Sequence, residues 1–123
     1  MTASVLVAED DRDLREMFAQ LLGSAGYDVV AVGDGHAARE AVRERRFDLV
    51  VTDVWMPRVS GLDLCRELRE DPETEQVPVL LLSAYGNLRT REEAKLVGAT
   101  DYVSKPIMPN AFLARVAAMI QKP

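Results

Sequence analysis

Val5-Leu6-Val7-Ala8-Glu9-Asp10-Asp11 decides the fold. Four apolar residues without polar alternation are what a parallel strand shows when helices cover both of its faces. The acidic triplet ends the run, and helical spacing begins at Arg12. Three further runs behave alike: Leu49-Val50-Val51-Thr52 ends in Asp53, Val79-Leu80-Leu81-Leu82 in Ser83, and Tyr102-Val103-Ser104 in Lys105. Ligands of open α/β sheets sit outside the carboxyl ends of parallel strands. Glu9, Asp10, Asp53, Ser83 and Lys105 are therefore expected to converge on one site built from four strands.

Outward from these runs, strand and helix patterns alternate five times. Leu14, Phe18, Leu21 and Ala25 recur at helical spacing over 12–25, with Asp11 or its neighbour as cap and Gly26 as stop. Residues 27–32 read as a second strand, Gly33-Asp34-Gly35 as a turn and 37–46 as a helix with a charged outer face. A third strand over 47–52 is followed by the Met56-Pro57 loop and a helix marked by Leu62, Cys65 and Leu68 that stops near Asp71-Pro72. A strand over 77–82, a helix over 87–97 closed by Gly98, a short strand through Tyr102 and a helix over 110–121 complete the chain. The reading is (βα)5: one doubly wound, five-stranded parallel sheet with helices on both faces, joined by right-handed crossovers.

With 123 residues there is room for one domain, 1–123, with a real core, and Lys122-Pro123 is a candidate linker start. The net charge of −5 argues against general attraction to nucleic acid or acidic membranes. A lone Cys65 excludes an internal disulfide framework and a cysteine-built zinc site. No apolar stretch approaches the roughly 20 residues of a membrane span, and the amino terminus lacks a signal-peptide pattern, so a cytoplasmic location is expected.

The residues at the strand ends suggest the chemistry. Carboxylates from Glu9, Asp10 and Asp53 brought together repel one another unless a cation neutralises them. Oxygen-only donors without nearby His or Cys favour a hard cation, and few carboxylates in an open site suit Mg²⁺ better than Ca²⁺. Lys105 adds a fixed positive charge and Ser83 a hydroxyl. This set can stabilise phosphoryl oxygens during in-line transfer, with Asp53 as nucleophile.

Taken in order, Val5 to Asp11, Asp53-Val54-Trp55-Met56-Pro57, Ser60-Gly61, Ser83-Ala84 and Lys105-Pro106 resemble the receiver domain of bacterial two-component response regulators over nearly the whole chain. The resemblance implies a flavodoxin-like sheet in the order 2-1-3-4-5. It implies that Asp53 accepts phosphate from the phosphohistidine of a sensor histidine kinase or phosphotransfer protein. Mg²⁺ would be held by Asp10, Asp53 and the backbone carbonyl of Trp55, with Glu9 acting through water or directly. Lys105 would contact the phosphoryl group, and the Lys105-Pro106 peptide is expected to be cis, the usual form of the motif. By the same resemblance, Ser83 moves toward the new phosphoryl oxygens, and Tyr102 turns inward behind it. The surface of the fourth helix, fifth strand and fifth helix then changes for a downstream partner or output domain.

Departures from the family pattern carry expectations of their own. Ser83 stands where Thr is more frequent, and Ile107 where many relatives have Phe. Trp55 and Tyr85, which flank the phosphoryl position, are aromatics where fast-hydrolysing relatives often carry polar groups, so a long-lived phosphoaspartate is expected. Asp101, Arg91 and Arg115 could join a phosphorylation-dependent dimer, but Thr100, Ala111 and Ala117 occupy places often charged in that interface, which leaves monomer and dimer both open. His36 reads as a surface residue, Cys65 as core and Asp11 as a cap. Two rivals remain. One is a receiver-like interaction module independent of phosphorylation. The other is a magnesium-dependent aspartyl-phosphate phosphohydrolase, disfavoured because Trp55 stands where that chemistry needs a second Asp.

Overall fold

The computed structural model describes residues 2–84 and 88–120. Strands β1 (Ser4–Ala8), β2 (Asp28–Val32), β3 (Leu49–Asp53), β4 (Val79–Ser83) and β5 (Asp101–Ser104) alternate with helices α1 (Arg12–Ser24), α2 (Gly35–Glu44), α3 (Gly61–Glu70), α4 (Leu88–Leu96) and α5 (Pro109–Ile120). All pairings are parallel, and the order is β2-β1-β3-β4-β5. The (βα)5 reading and the 2-1-3-4-5 order both hold.

Burial sorts the strands. Every residue of β3 and β4 is buried, as is β1 from Val5 onward, whereas β2 and β5 at the edges are only partly covered. Pleating sends alternate side chains to two cores. Val5, Val7, Leu49, Val51, Leu80 and Leu82 pack with Phe18 and Leu22 of α1 and Phe112 and Val116 of α5. Phe18 and Phe112 meet with ring centroids 4.7 Å apart in a tilted arrangement. Leu6, Ala8, Val50, Val79 and Leu81 face α2, α3 and α4, where Cys65 is buried. The pleat also puts Tyr102 in that second core.

Local chemistry sets the helix ends. Asp11 caps α1 by accepting from Leu14 N, the bland role expected of it, and Gly26 follows at φ 96°, a left-handed stop that favours glycine. Ser60 and Asp63 form a reciprocal capping box at α3. α2 departs from the sequence reading at both ends. It starts at Gly35 rather than residue 37 because Asp34 accepts from Ala37 N. It stops at Glu44 rather than 46 because Arg45 is extended, its guanidinium drawn to Asp28 and Ser4. His36 is exposed as expected. The expectations on Tyr85, Asn87 and the linker at Lys122-Pro123 lie outside the described residues.

Candidate functional site

Glu9 and Asp10 leave β1, Asp53 ends β3, Ser83 ends β4 and Lys105 follows β5. With β3 between β1 and β4, these ends meet at one edge of the sheet. Carboxylate oxygens of Glu9, Asp10 and Asp53 all lie within 4.8 Å of one another. Glu9 and Asp53 are 1% and 6% exposed, whereas Asp10 faces solvent. The Lys105 ammonium stands 2.8 Å from Glu9 Oε1 and 3.3 Å from Asp53 Oδ2.

This spacing governs the electrostatics. Burial pushes the Asp53 carboxyl up to about 6, the nearby charge of Glu9 and more weakly that of Asp10 push the same way, and Lys105 opposes them without cancelling them. Burial pulls the Lys105 ammonium down, but its hydrogen bond to Glu9 and the charges of Asp53 and Glu9 outweigh this and hold it above its ordinary value. One ammonium therefore serves two buried carboxylates, with a third beside them, and the cluster stays short of positive charge. A hard divalent cation fits that deficit and the all-oxygen donor set. The cluster fits Mg²⁺.

Backbone contacts fix these groups. Glu9 N–H donates to Val32 O (3.1 Å), and its Oε2 accepts from Asp11 N (3.1 Å). Thr52 Oγ1 donates to Asp53 O (3.0 Å), and Val54 N–H to Leu82 O (2.8 Å). The loop after Asp53 folds back so tightly that a Cβ on Gly61 would lie 2.2 Å from Asp53 O. In the same loop Val59 N–H donates to Pro57 O (2.8 Å) across Arg58 at φ 69°, the positive-φ form of a γ-turn and a strained one. A Cβ on Gly35 would lie 2.2 Å from Val59 O, so the first turn of α2 rests directly on this loop.

Trp55, two residues beyond Asp53, is 50% exposed, as a loop-borne aromatic near the site should be. Ser83 is buried, and its carbonyl accepts from Lys105 N–H at 2.7 Å. The Lys105-Pro106 peptide is cis. Tyr102 is already turned inward, with Arg91 Cζ 5.4 Å from its ring centroid. Its hydroxyl is buried and makes no hydrogen bond among the described residues. Of the charges suggested for a dimer, Asp101 and Arg115 pair within the chain.

A cleft of about 790 Å³ opens over the acids, with Leu14, Met17, Pro106 and Ile107 on its apolar side. A second cleft of about 760 Å³ lies at the far edge of the sheet, where Arg43, Arg46, Asp71 and Glu73 mix charges of both signs. Of these two clefts the first holds the converging acids and an ammonium. Two residues that the sequence reading does not single out matter locally: Arg15, whose Nη1 donates to Glu9 O at 2.9 Å, and Arg58 in its γ-turn. The sole sequence signal for Arg15 is its place one helical turn after the cap Asp11.

Comparison with known proteins agrees with this geometry. The profile of the response regulator receiver domain matches residues 5–117. The phosphate regulon transcriptional regulatory protein PhoB of Rhizobium meliloti is 37% identical over 99% of this chain and 54% of its own length. The chain spans about half the length of the curated relatives it matches. Among solved structures, chemotaxis protein CheY4 of Vibrio cholerae superposes with TM-score 0.92 at 30% identity, covering 97% of this chain and 99% of that one. The receiver domain of sensor histidine kinase PA1611 from Pseudomonas aeruginosa, with a magnesium ion coordinated in its active-site cleft, gives TM-score 0.90 at 26% identity, covering 99% and 100%.

Proposed function

Because the chain belongs to the response regulator receiver domain family of two-component systems, we propose that Asp53 is its phosphoacceptor, charged from the phosphohistidine of a sensor histidine kinase or phosphotransfer protein. The observation that carries this reading is the buried Asp53 carboxylate 3.3 Å from Lys105 Nζ inside a three-acid cluster. Glu9, Asp10, Asp53 and the Trp55 backbone carbonyl would hold Mg²⁺, which when bound supplies charge neutralisation for the carboxylates and the phosphoryl oxygens.

An Asp53 oxygen attacks phosphorus in line. The new O–P bond forms as the N–P bond of the donor breaks, and the electron pair returns to the imidazole, which takes a proton from solvent. Asp53 must be ionised to attack. With its carboxyl near 6, it is mostly ionised at neutral pH without added charge. Lys105 stays protonated and turns from the carboxylates toward the transferred group, stabilising charge that develops on its oxygens. The reaction consumes no general acid at Asp53, and Trp55 offers none, which separates this chemistry from turnover of phosphate esters.

Phosphorylation adds nearly two negative charges beside Ser83. Ser83 then bonds a phosphoryl oxygen, and the site favours the state with Tyr102 held inward. The face made by α4, β5 and α5 changes its affinity for a downstream protein or output domain in proportion to the partner's preference for that state. In this reading residues 1–123 are one cytoplasmic receiver domain that does not itself bind nucleic acid, and no described helix is long and apolar enough to cross a membrane. Trp55, half exposed beside Asp53, shields the acyl phosphate from water and prolongs its life; the same role for Tyr85 rests on the family resemblance alone.

Intact-mass analysis after incubation with Mg²⁺ and acetyl phosphate tests the core of this reading. A gain of one phosphoryl group in the wild type but not in Asp53→Asn supports it. A gain in both variants would place the acceptor elsewhere, and no gain in either, with acetyl phosphate or with a phosphorylated histidine donor, would favour an interaction module.

A further inference from the structure

Asp10 is the exposed member of the acid cluster, and its carboxylate makes no hydrogen bond among the described residues. What the fold holds of Asp10 is therefore its backbone, which sets the range its carboxylate can reach. That backbone is tied at Asp11 by the first hydrogen bond of α1, which any residue at position 15 would supply, and at Glu9 by the Arg15 side chain. Arg15 Nη1 donates to the carbonyl of Glu9 at 2.9 Å, and Arg15 N–H donates to the carbonyl of Asp11 at 2.9 Å. Asp10 lies between these two anchors.

Gly33 provides the space for this grip. A Cβ there would stand 2.9 Å from Arg15 Nη1 and 3.5 Å from Cζ. The positive-φ glycines among the described residues are Gly26 and Gly98, so the backbone of Gly33 does not itself demand glycine. What a side chain at residue 33 would displace is the guanidinium. Arg15 also forms no ion pair among the described residues, unlike Arg12 three positions earlier, which pairs with Glu16.

We infer that Arg15, seated over Gly33, is a positioning residue that clamps the Glu9–Asp10–Asp11 backbone and so presets Asp10 toward the metal. This inference rests on the proposed Mg²⁺-dependent role of the acid cluster. It gives a sign that electrostatics alone would not give. Removing a positive charge from the loop that carries Glu9 and Asp10 should, if charge were all that mattered, leave Mg²⁺ binding unchanged or tighten it. Losing a clamp on a ligand-bearing loop should weaken it, by about tenfold on the scale seen for groups that orient metal ligands.

The test is calorimetric titration of the full chain with Mg²⁺, with thermal melts to confirm folding. Arg15→Ala and Gly33→Leu, which remove the same contact from opposite sides, should each weaken binding by about tenfold. Their combination should be little worse than either alone, because leucine then has no guanidinium left to displace. Arg15→Lys, which keeps a donor, should recover part of the loss. Unchanged or tighter binding by Arg15→Ala, with the wild type binding Mg²⁺, would overturn the clamp and leave the phosphoacceptor reading intact. Full additivity in the double variant would also overturn it. A wild type that does not bind Mg²⁺ would sink the metal-dependent reading and the clamp with it.

Discussion

Asp53→Asn should stabilise the protein in the absence of Mg²⁺, although it removes the residue on which the chemistry depends. In the folded chain the Asp53 carboxyl sits at about 6 against an ordinary 3.8, raised by burial and by Glu9. Each unit of pKa corresponds to about 1.36 kcal/mol. Ionising Asp53 in the fold therefore costs up to about 3 kcal/mol more than ionising it in the unfolded chain, and coupling to Lys105 and Glu9 makes about 1–3 kcal/mol the expected range. Between pH 3.8 and about 6 the folded state keeps a proton that the unfolded state has released. The stability from this group is thus present at low pH, falls as pH rises through that window and is level above it. Asparagine does not titrate, so the advantage of the variant should open over the same window. An unfolding entropy of about 2.1 cal/mol/K per residue converts the range into roughly 4–12 °C in Tm for a chain of this length. The assay is circular-dichroism melting of both proteins in a chelator at about pH 4.5 and about pH 7.5, then with excess Mg²⁺. Comparing the two proteins at each pH cancels the titration of the remaining carboxylates. Mg²⁺ at a hundredfold above its Kd should return about 2.7 kcal/mol to the wild type, and less to the variant. Equal melting of the two proteins near pH 7.5, or a gap that closes as pH rises, would refute the argument that Asp53 is held ionised against its surroundings.

Gly61→Ala places a Cβ 2.2 Å from Asp53 O; the forced backbone shift should cost about 1–3 kcal/mol and slow phosphorylation by acetyl phosphate, measured by intact mass. Tyr102→Phe removes a buried hydroxyl that lacks a partner among the described residues and should stabilise the unphosphorylated protein by about 1 kcal/mol in urea unfolding. Tyr102→Ala should destabilise it by roughly 3–5 kcal/mol and uncouple partner binding from phosphorylation; partner affinity that still responds fully would refute the switch role. Trp55→Asn and Tyr85→Glu should each shorten the phosphoaspartate lifetime by about tenfold, equivalent to ~1.4 kcal/mol off the hydrolysis barrier. A wild-type half-life of seconds, unchanged in both variants, would count against shielding by these aromatics.

Local pattern alone carried the element count, the cap and stop of α1 and the groups expected at the site, but not the caps of α2 and α3. Unbroken apolar runs such as Val79-Leu80-Leu81-Leu82 mark strands buried on both faces, and such strands must sit inside a sheet whose carboxyl edge gathers whatever follows them. That is why Asp53 and Lys105, 52 positions apart in the chain, could be assigned to one site from sequence, and why Asp11 and Gly26 could be read as start and stop of a helix. The adjacency of β1 to β3 came from the family resemblance rather than from periodicity, and the sharing of one ammonium between Glu9 and Asp53 is different in kind. They depend on pairings between distant segments, which periodicity does not encode. Gly33-Asp34-Gly35 reads locally as a turn, yet α2 begins at Gly35, whose missing side chain admits the carbonyl of Val59. The raised Asp53 carboxyl, the strained Arg58 and the grip of Arg15 on Glu9 likewise arise only when tertiary packing excludes water and brings separate backbones within hydrogen-bonding distance. Sequence determined which groups reach the sheet edge, because that follows from short-range patterning. Tertiary structure decided how strongly they act on one another, because burial and ångström-scale distance exist only in the fold.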